Sequence, residues 1–255
     1  MTYRRLKAGV SSVSRNSITV EHEGLPVPPI KLRDMVRKGG ILIEDFLLEG
    51  AQVFESLIEI GQTYGVAFDS TTRVYEFGVG CGRVARHFLT KRLCMFTGSD
   101  VDEELVAWCE EKLGGAQVAP APPAFFVNAY EPPVERPDAS FDFIYAISVV
   151  THMTPPHQRA WMRELHRLLA PEGRLLVSFL ETSPAEAPNG VVARERVDAH
   201  FKRGWLGKDG APALYYNTYN TVDNLAGLLG GGLRVIGHRR RAIRNTQSVL
   251  VFQKA

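Results

Sequence analysis

Strand and helix signals alternate along the middle of the chain, and this alternation most constrains the fold. Short apolar runs rich in strand formers predict strands at Val74–Val79, Met95–Ser99, Ala124–Asn128, Phe141–Val150 and Arg174–Leu180. Amphipathic segments between them predict helices at Gly82–Lys91, Asp102–Leu113 and Pro155–Leu169. Nearly continuous apolar strands that alternate with helices are typical of a parallel sheet covered on both faces. The predicted fold is therefore α/β and doubly wound.

The C-terminal end of the chain breaks this alternation. A helix is predicted at Thr221–Leu229, and two strands follow it at Leu233–Arg241 and Ser248–Gln253. A parallel connection needs about a dozen residues or more, so these two strands are predicted to pair antiparallel. The expected sheet is mostly parallel and seven-stranded, with an antiparallel strand pair at its C-terminal end.

The chain of 255 residues is interpreted as one domain with appendages. Residues 1–42 are predicted to form an irregular N-terminal arm, since closely spaced prolines fit neither a helix nor a central strand. The arm begins with basic residues, for which a transit peptide is the less favoured interpretation. Residues 43–255 are assigned to a single Rossmann-like domain that begins with an amphipathic helix at Ile43–Tyr64. Within it, an insertion at about 183–220 is expected to be a lid.

Composition narrows the class of protein and its surroundings. A formal net charge of +2 gives no reason to expect a nucleic-acid partner. Apolar runs fall short of the roughly 18 residues that a membrane span requires. Cys81, Cys94 and Cys109 stand at spacings that fit neither zinc nor redox motifs, which favours a reducing compartment. We expect a cytoplasmic protein with no nucleic-acid or membrane partner and no metal site, and the oligomeric state is not predicted.

A glycine-rich turn follows the first predicted strand and carries the main functional signal. Gly78, Gly80 and Gly82 let the backbone turn tightly and approach a ligand without interference from a Cβ atom. The predicted helix beyond them offers free N–H groups and the positive end of its dipole. In an open α/β sheet, ligands bind beyond the carboxyl ends of the strands, where this turn lies. The turn is therefore predicted to bind a cofactor.

Two cofactor classes use such a turn, and the residues beside the glycines discriminate between them. A dinucleotide enzyme requires G-x-G-x-x-G, but Arg83 stands where the third glycine would be. Glu76 would repel a pyrophosphate, whereas it suits the ammonium group of a methionine moiety. Asp100 lies where an acid that binds ribose hydroxyls is expected in either class. Asp100 could instead cap the next helix, for which Asp102 is better placed.

Four motifs occur in order along this part of the chain. They are Glu76-x-Gly78-x-Gly80-x-Gly82, Gly98-Ser-Asp100, Ser140-Phe-Asp142-Phe-Ile and Leu168-Leu-Ala-Pro-Glu-Gly-Arg-Leu175. Together they resemble the successive motifs of class I S-adenosylmethionine-dependent methyltransferases over about Val74–Phe179. The antiparallel last strands are similar to the C-terminal hairpin of that family. The resemblance implies S-adenosyl-L-methionine as the cofactor and methyl transfer as the reaction.

The resemblance also implies which residues contact the cofactor. Asn128 matches the position whose side chain meets the adenine amino group, although an acid is commoner there. Ala129 would present its backbone N–H to the ring, Val101 would pack on the ring, and Ser148 would border the methionine part. The implied cofactor residues are Glu76, Phe77, Gly78, Gly80, Gly82, Arg83, Asp100, Val101, Asn128, Ala129 and Ser148.

The methyl acceptor is predicted less sharply than the cofactor. An alcohol or phenol must lose a proton when it is methylated, and His152 is the candidate general base because it follows the fourth strand. A structural role for His152 stays open. Glu181 is a second candidate base, for which a solvated acid is the favoured interpretation. Four aromatic residues of the insertion could contact an acceptor or pack the lid: Trp205, Tyr215, Tyr216 and Tyr219.

The predicted function is O-methylation of a small molecule or a saccharide. N-methylation of a small molecule and non-catalytic binding of S-adenosylmethionine stay open as alternatives. A nicotinamide-dependent oxidoreductase is disfavoured by Arg83 and by the antiparallel tail. The basic run His238–Arg241, with Arg244 after it, is interpreted as a solvated sheet edge that resists strand pairing.

Overall fold

The computed structural model describes residues 20–37, 41–91, 94–115, 121–197, 214–228 and 232–255. The strands are β1 (Glu21–His22), β2 (Leu25–Pro26), β3 (Arg73–Phe77), β4 (Met95–Asp100), β5 (Ala124–Val127), β6 (Phe141–Ala146), β7 (Leu169–Glu181), β8 (Val191–Val197), β9 (Leu214–Asn220), β10 (Leu233–Ile243) and β11 (Gln247–Lys254). The helices are α1 (Ile30–Val36), α2 (Ile43–Thr63), α3 (Ala85–Lys91), α4 (Glu103–Lys112), α5 (Pro155–Leu168) and α6 (Val222–Gly227), with a 3₁₀ turn at Val150–His152. Within the described ranges, none of these helices has the length and apolar character to cross a membrane.

A mixed sheet organises the fold, with the strand order β10-β11-β7-β6-β3-β4-β5. Strands β3, β4, β5, β6 and β7 run parallel, whereas β11 pairs antiparallel with both β7 and β10. The connection between β10 and β11 is too short for a parallel crossover, which explains the antiparallel tail. The fold class predicted from the sequence is confirmed.

The parallel strands are buried on both faces of the sheet. Tyr75, Ile144 and Val177 have no exposed surface, so the apolar runs in the sequence correspond to strands without a polar face. One part of the core lies between the sheet and helices α2, α3 and α4. A second part lies on the other face, against α5 and α6. This packing fixes the carboxyl ends of the strands along one edge of the molecule.

The N-terminal arm is more regular than the sequence predicted. Strands β1 and β2 form a hairpin, and α1 follows where irregular chain was expected. The prolines did not exclude this helix, because Pro29 directly precedes it, where a missing N–H costs no hydrogen bond. The guanidinium of Arg86 donates to three carbonyls of the hairpin and its flank, which attaches the arm to the domain.

The insertion contains a strand pair where the sequence predicted no regular structure. Strands β8 and β9 pair antiparallel, and β9 also pairs with the end of β7 through Leu180 and Tyr219. The prediction missed β8 because Arg194, Glu195 and Arg196 interrupt any apolar run. Residues 198–213, which include Trp205, lie outside the described residues.

Two elements beside the glycine turn end or begin at residues other than those predicted. Strand β6 ends at Ala146, four residues early, because Ser148 adopts a left-handed backbone conformation with φ 60°. Helix α3 begins at Ala85 and not at Gly82, since Gly80 and Gly82 also have positive φ values and cannot continue a right-handed helix. The glycine turn is therefore longer and less helical than the sequence suggested.

Candidate active site

A cavity lies along the carboxyl edge of the parallel strands, and it brings together most of the predicted site residues. Its lining includes Glu76, Phe77, Gly78, Gly80, Arg83, Asp100, Val101, Asn128, Ser148 and His152. Gly82 and Ala129, which were also predicted to contact the cofactor, lie next to lining residues in the chain and are not part of the lining themselves. The predicted cofactor residues and the candidate base thus share one cavity.

The glycines of the turn make room for other parts of the protein. A Cβ atom at Gly78, where φ is 87°, would overlap Cγ2 of Val149 in the loop after β6. A Cβ atom at Gly80 would lie 2.6 Å from Cγ1 of Val36 in α1. Both neighbours line the cavity. The glycines therefore let α1 and the loop after β6 close over the turn, besides allowing a ligand to approach it.

Asp100 connects the glycine turn to the end of β4. Its Oδ2 accepts a hydrogen bond from the N–H of Gly80 at 2.8 Å. Its Oδ1 accepts from the N–H of Asp102 at 3.1 Å. Asp102 caps α4 by accepting from the N–H groups of Glu104 and Leu105, as predicted. Each oxygen of Asp100 retains a lone pair for a ligand hydroxyl, and burial raises the pKa of this carboxyl.

Two buried oxygens of the cavity lining have no hydrogen-bond donor among the described residues. They are Oε2 of Glu76 and Oδ1 of Asn128. The Nδ2 of Asn128 donates to the carbonyl of Ala129 at 2.8 Å, which leaves Oδ1 as the open acceptor. A buried acceptor without a donor costs about 1–3 kcal/mol. Both oxygens therefore indicate where a ligand would supply N–H groups.

Glu76 is buried beside the positively charged Arg83. Burial raises the pKa of Glu76 to about 8, although the hydroxyl of Tyr145 and the charge of Arg83 act to lower it. At neutral pH the carboxyl is therefore mostly protonated while the cavity holds no cation. A ligand ammonium group would favour its ionised form.

The turn that carries His152 is held in place from two sides. The buried Nε2 of Gln158, in α5, donates to the carbonyl of Val150 at 2.7 Å. The buried hydroxyl of Thr218, in β9, donates to the carbonyl of Met153 at 2.6 Å. His152 itself is half-buried and lines the cavity between these two anchors. Its position is thus fixed by α5, which follows the turn directly, and by β9, which lies far along the chain.

Comparison with known proteins shows which kind of domain the chain contains. Residues 75–177 match a family described as a methyltransferase domain. A curated relative, the 27-O-demethylrifamycin SV methyltransferase of Amycolatopsis mediterranei (strain S699), is 30% identical over 154 residues, which are 54% of this chain and 55% of that protein. The chain thus spans about half the length of this relative. Residues 75–177 are therefore a methyltransferase domain.

Solved methyltransferase structures share the fold. Magnesium protoporphyrin IX methyltransferase from Synechocystis PCC 6803, crystallised with S-adenosylhomocysteine, aligns over 88% of this chain and 93% of its own, with a TM-score of 0.58 and 17% identity. The 1,6-didemethyltoxoflavin-N1-methyltransferase of Burkholderia thailandensis aligns over 83% of this chain and 82% of its own, with a TM-score of 0.56 and 18% identity. At these identities the likeness concerns the fold of the methyltransferase domain.

The cavity of this methyltransferase domain fits S-adenosylmethionine. Because β3, β4 and β5 are neighbours in the sheet, Glu76, Asp100 and Asn128 follow one another along its edge. S-adenosylmethionine carries an ammonium group, two ribose hydroxyls and an adenine amino group in the same order. The open oxygens of Glu76 and Asn128 suit the two nitrogen groups at the ends of the molecule.

Ser148 borders the cavity and forms a hydrogen-bonded ring with residues of two strands. Its N–H donates to Oγ of Ser178 at 2.8 Å, and the Ser178 hydroxyl donates to Oε1 of Gln247 at 2.7 Å. The Nε2 of Gln247 returns to Oγ of Ser148, also at 2.7 Å. A left-handed serine is uncommon, and this ring from β7 and β11 holds it.

Several lining residues were missed by the sequence analysis. Met35 and Val36 come from α1, which was not predicted, and Tyr130 follows β5. His157 also lines the cavity, with its Nε2 at 2.5 Å from Oε1 of Glu131. Trp161, also in the lining, lies one helical turn beyond His157 on α5. Their spacing of four residues places both rings on the same face of a helix. This spacing was the signal in the sequence that could have identified them.

Glu181, the second candidate base, lies at the end of β7 and outside the cavity lining. Its carboxylate accepts from the hydroxyl of Ser248 and from Nε2 of His238, the latter at 3.2 Å. Although burial acts to raise the pKa of Glu181, these contacts and Arg240 lower it overall. Its placement matches neither a base in the cavity nor the solvated acid that the sequence favoured. Tyr219 lies in β9, also outside the lining.

Proposed function

We propose that this protein transfers a methyl group from S-adenosyl-L-methionine to a hydroxyl of a small molecule or a saccharide, with His152 as the general base. The observation that carries this proposal is the shared cavity. Three acceptor side chains follow the cofactor's own order along the sheet edge, and an imidazole lines the same space. The wider proposal is a cytoplasmic enzyme with no nucleic-acid, membrane or metal partner.

The residues of the sheet edge would bind and orient the cofactor. Asn128 would accept from the adenine amino group, Asp100 from the ribose hydroxyls and Glu76 from the ammonium group. When bound, S-adenosylmethionine supplies an electrophilic methyl group on a positively charged sulfur. Because in-line displacement depends on alignment, holding the cofactor at three points along its length restricts the direction in which its methyl group faces.

His152 would accept the proton of the acceptor hydroxyl at a ring nitrogen while the oxygen forms its bond to the methyl carbon. The oxygen gains the methyl group as it loses the proton, and the sulfur leaves with the electron pair of the broken bond. An imidazole suits this transfer near neutral pH. The anchors from Gln158 and Thr218 would keep His152 in position.

The acceptor would be enclosed by the parts of the chain outside the central strands. The N-terminal arm, residues 1–42, contributes Met35 and Val36 to the lining. The insertion at about 183–220 is joined to the His152 turn through Thr218. We propose that aromatic residues of this insertion contact the acceptor, with Tyr219 as the candidate whose side chain is described.

An oxygen acceptor is favoured over nitrogen by His152 and by the relative named above, whose name states that it methylates an oxygen. Nitrogen is the second candidate, since a neutral amine attacks before it loses its proton and has less need of a base. A structural neighbour is an N1-methyltransferase. The third candidate is a non-catalytic protein that binds S-adenosylmethionine without transferring its methyl group.

Methyl transfer from labelled S-adenosylmethionine to a panel of phenols, alcohols, sugars and amines tests the proposal. We expect label in a hydroxyl compound, and His152→Ala should reduce that turnover about a hundredfold while S-adenosylhomocysteine affinity stays nearly constant. His157→Ala, which removes the other imidazole of the cavity lining, is the comparison variant and should cost less. Label found only in amines, or full turnover by His152→Ala, would contradict the assigned acceptor and base.

A further inference from the structure

The hydrogen-bonded ring behind the cavity leaves the hydroxyl hydrogen of Ser148 without an acceptor among the described residues. The ring consists of Ser148, Ser178 and Gln247, and we call it the serine–glutamine ring. The N–H of Ser148 donates to Ser178, and the Ser178 hydroxyl donates to Oε1 of Gln247. The Nε2 of Gln247 then donates to Oγ of Ser148. In this ring the Oγ of Ser148 only accepts, and its own hydrogen takes no part.

Burial determines in which direction these hydrogen bonds run. If the amide group of Gln247 were turned over, its Oε1 would accept from Ser148 and its Nε2 would donate to Ser178. The Ser178 hydroxyl, which is fully buried, would then lose the one acceptor that the structure describes for it. A buried donor without a partner is costly, whereas Ser148 is only half-buried and borders the cavity. The favoured arrangement therefore leaves the hydrogen of Ser148 for the cavity.

Ser148 lies at the end of the cavity where the proposed function places the reacting groups. It follows β6, which is the neighbour of β3 on the side away from β4. The same loop continues into the turn that carries His152, and both residues line the cavity. The sequence analysis placed Ser148 beside the methionine part of the cofactor, whose sulfur carries the methyl group. In the proposed function, a residue at that border also lies beside the atom that receives the methyl group.

Oxygen and nitrogen acceptors differ in what they can offer to a fixed donor. A hydroxyl oxygen has two lone pairs, so one can attack the methyl carbon while the other accepts from Ser148. A neutral amine has a single lone pair, and the attack uses it. A donor beside the reacting atom therefore keeps its hydrogen bond with an oxygen throughout the reaction and loses it with a nitrogen.

We propose that the Ser148 hydroxyl donates to the attacking oxygen and makes the site selective for hydroxyl over amino acceptors. This inference rests on the proposed function and adds the residue that discriminates between the two acceptor atoms. Ser148 keeps its proton throughout, and the proton of the acceptor passes to His152. The oxygen bonds to the methyl carbon, and the electron pair of the broken bond leaves with the sulfur. Gln247 acts through Ser148 and is a positioning residue.

The first experiment uses ortho-aminophenol, which offers a hydroxyl and an amino group on one ring, with S-adenosylmethionine as the donor. The ratio of the O-methyl to the N-methyl product depends neither on the amount of active protein nor on the affinity for the compound. We expect mainly the O-methyl product from the unaltered protein. Ser148→Ala should lower the ratio at least about tenfold, because only the oxygen loses a hydrogen bond.

The variant Gln247→Glu tests the direction of the ring while keeping its size. An ionised carboxylate can only accept, so the hydroxyls of Ser148 and Ser178 would both donate to it. The hydrogen of Ser148 would then turn away from the cavity, and the product ratio should fall as in Ser148→Ala. Gln253→Glu, the same substitution near the other end of β11, is the matched control and should keep the ratio. If Gln247→Glu lowers total turnover but leaves the ratio unchanged, Gln247 is only structural.

The second experiment locates the hydrogen itself and needs no methyl acceptor. Neutron diffraction is measured from crystals of the full chain with S-adenosylhomocysteine, grown in heavy water. We expect deuterium on the Gln247 nitrogen that faces Oγ of Ser148, and the hydroxyl deuterium of Ser148 directed into the cavity. Hydroxyl deuterium of Ser148 between its Oγ and Gln247 would overturn the inference, whether or not ortho-aminophenol is methylated.

The outcomes separate this inference from the proposed function. Failure of the unaltered protein to bind S-adenosylhomocysteine, or to label any compound of the panel above, would overturn the proposed function. An O-methyl product whose ratio stays constant in Ser148→Ala would overturn the inference alone. An excess of N-methyl product from the unaltered protein would overturn the selectivity. A tenfold loss of S-adenosylhomocysteine affinity in Ser148→Ala, at a constant ratio, would assign the hydroxyl to the cofactor and overturn the inference as well.

Discussion

The two halves of the cavity are built in different ways. The cofactor edge, defined by Glu76, Asp100 and Asn128, consists of residues at or just after the ends of neighbouring parallel strands. The other end, which we assign to the proposed acceptor and define by Val36, Val149 and His152, draws its contacts from an N-terminal helix, the glycine turn and a strand of the insertion. In the proposed function, the cofactor would thus be bound by the sheet itself. The space for the acceptor would depend on segments attached to the sheet.

A change at Gly78 should affect both halves at once, because this residue touches Val149 of the acceptor end. In Gly78→Ala the new Cβ would overlap that valine and the positive φ would be strained, so we expect a loss of about 2–3 kcal/mol in the free energy of unfolding. S-adenosylhomocysteine binding should be lost as well. Denaturant unfolding measures the first effect and calorimetry the second.

The control for this change is Gly115→Ala, since a Cβ atom at Gly115 would meet nothing within 4 Å. Its unfolding free energy should stay within about 0.5 kcal/mol of the unaltered protein. Equal effects of the two substitutions would contradict the close packing between the two halves.

The cofactor edge should respond to Asp100→Ala by a loss of S-adenosylhomocysteine affinity of at least about tenfold, since two buried hydroxyls lose a charged partner. Asp102→Ala is the control next to it. That variant loses the cap of α4, which costs about 1 kcal/mol of stability, and should keep its cofactor affinity. If calorimetry shows an unchanged affinity in Asp100→Ala, the assignment of Asp100 to the ribose hydroxyls is wrong.

The pKa of Glu76 predicts that the affinity of the cofactor edge for its ligand depends on pH. Because this pKa is about 8 without ligand, pairing with an ammonium group requires the loss of a proton. The affinity for S-adenosylhomocysteine should therefore fall about tenfold for each pH unit below 7. At strongly alkaline pH it should fall again as the ligand's amino group loses its charge. In Glu76→Gln the decrease in S-adenosylhomocysteine affinity below pH 7 should disappear, because glutamine does not titrate.

The same shift predicts how the stability of the ligand-free protein changes with pH. The folded pKa of Glu76 lies above its usual value of 4.5, so the folded state holds the proton more tightly than the unfolded state. This contribution is fully present below the unfolded pKa and is lost as the pH rises toward 8. Glu76→Gln should therefore gain stability relative to the unaltered protein between these pH values. If the difference between the thermal midpoints of the two proteins stays constant across this pH range, Glu76 is not buried in its neutral form.

The smallest effect is expected at Thr218, which acts on the acceptor end alone. Thr218→Val removes the hydroxyl that donates to the carbonyl of Met153 and should cost about 1 kcal/mol of stability. Turnover should fall more than cofactor affinity, since the His152 turn loses one anchor. Thr218→Ser keeps the hydroxyl and should restore turnover. An equal loss of turnover in both variants would mean that packing, and not the hydrogen bond, holds the turn.

These two halves also differ in how far the sequence could predict them. The cofactor edge was predicted because each of its residues stands at a fixed offset from an apolar run or a glycine motif, and such patterns are local. The structure brings these residues into one cavity. Helix α1 was missed because closely spaced prolines precede it. Strand β8 was missed because alternating charges interrupt its apolar pattern.

The sequence by itself determined the α/β class, the mostly parallel sheet and the antiparallel tail. These follow from periodicity and connection length, which the chain carries locally at every point. Only the tertiary structure decided that Ser148 is held by Ser178 and Gln247, that His157 lines the cavity and that three arginines share Glu49. Such contacts join residues that lie up to 195 positions apart, and their geometry depends on how whole elements pack.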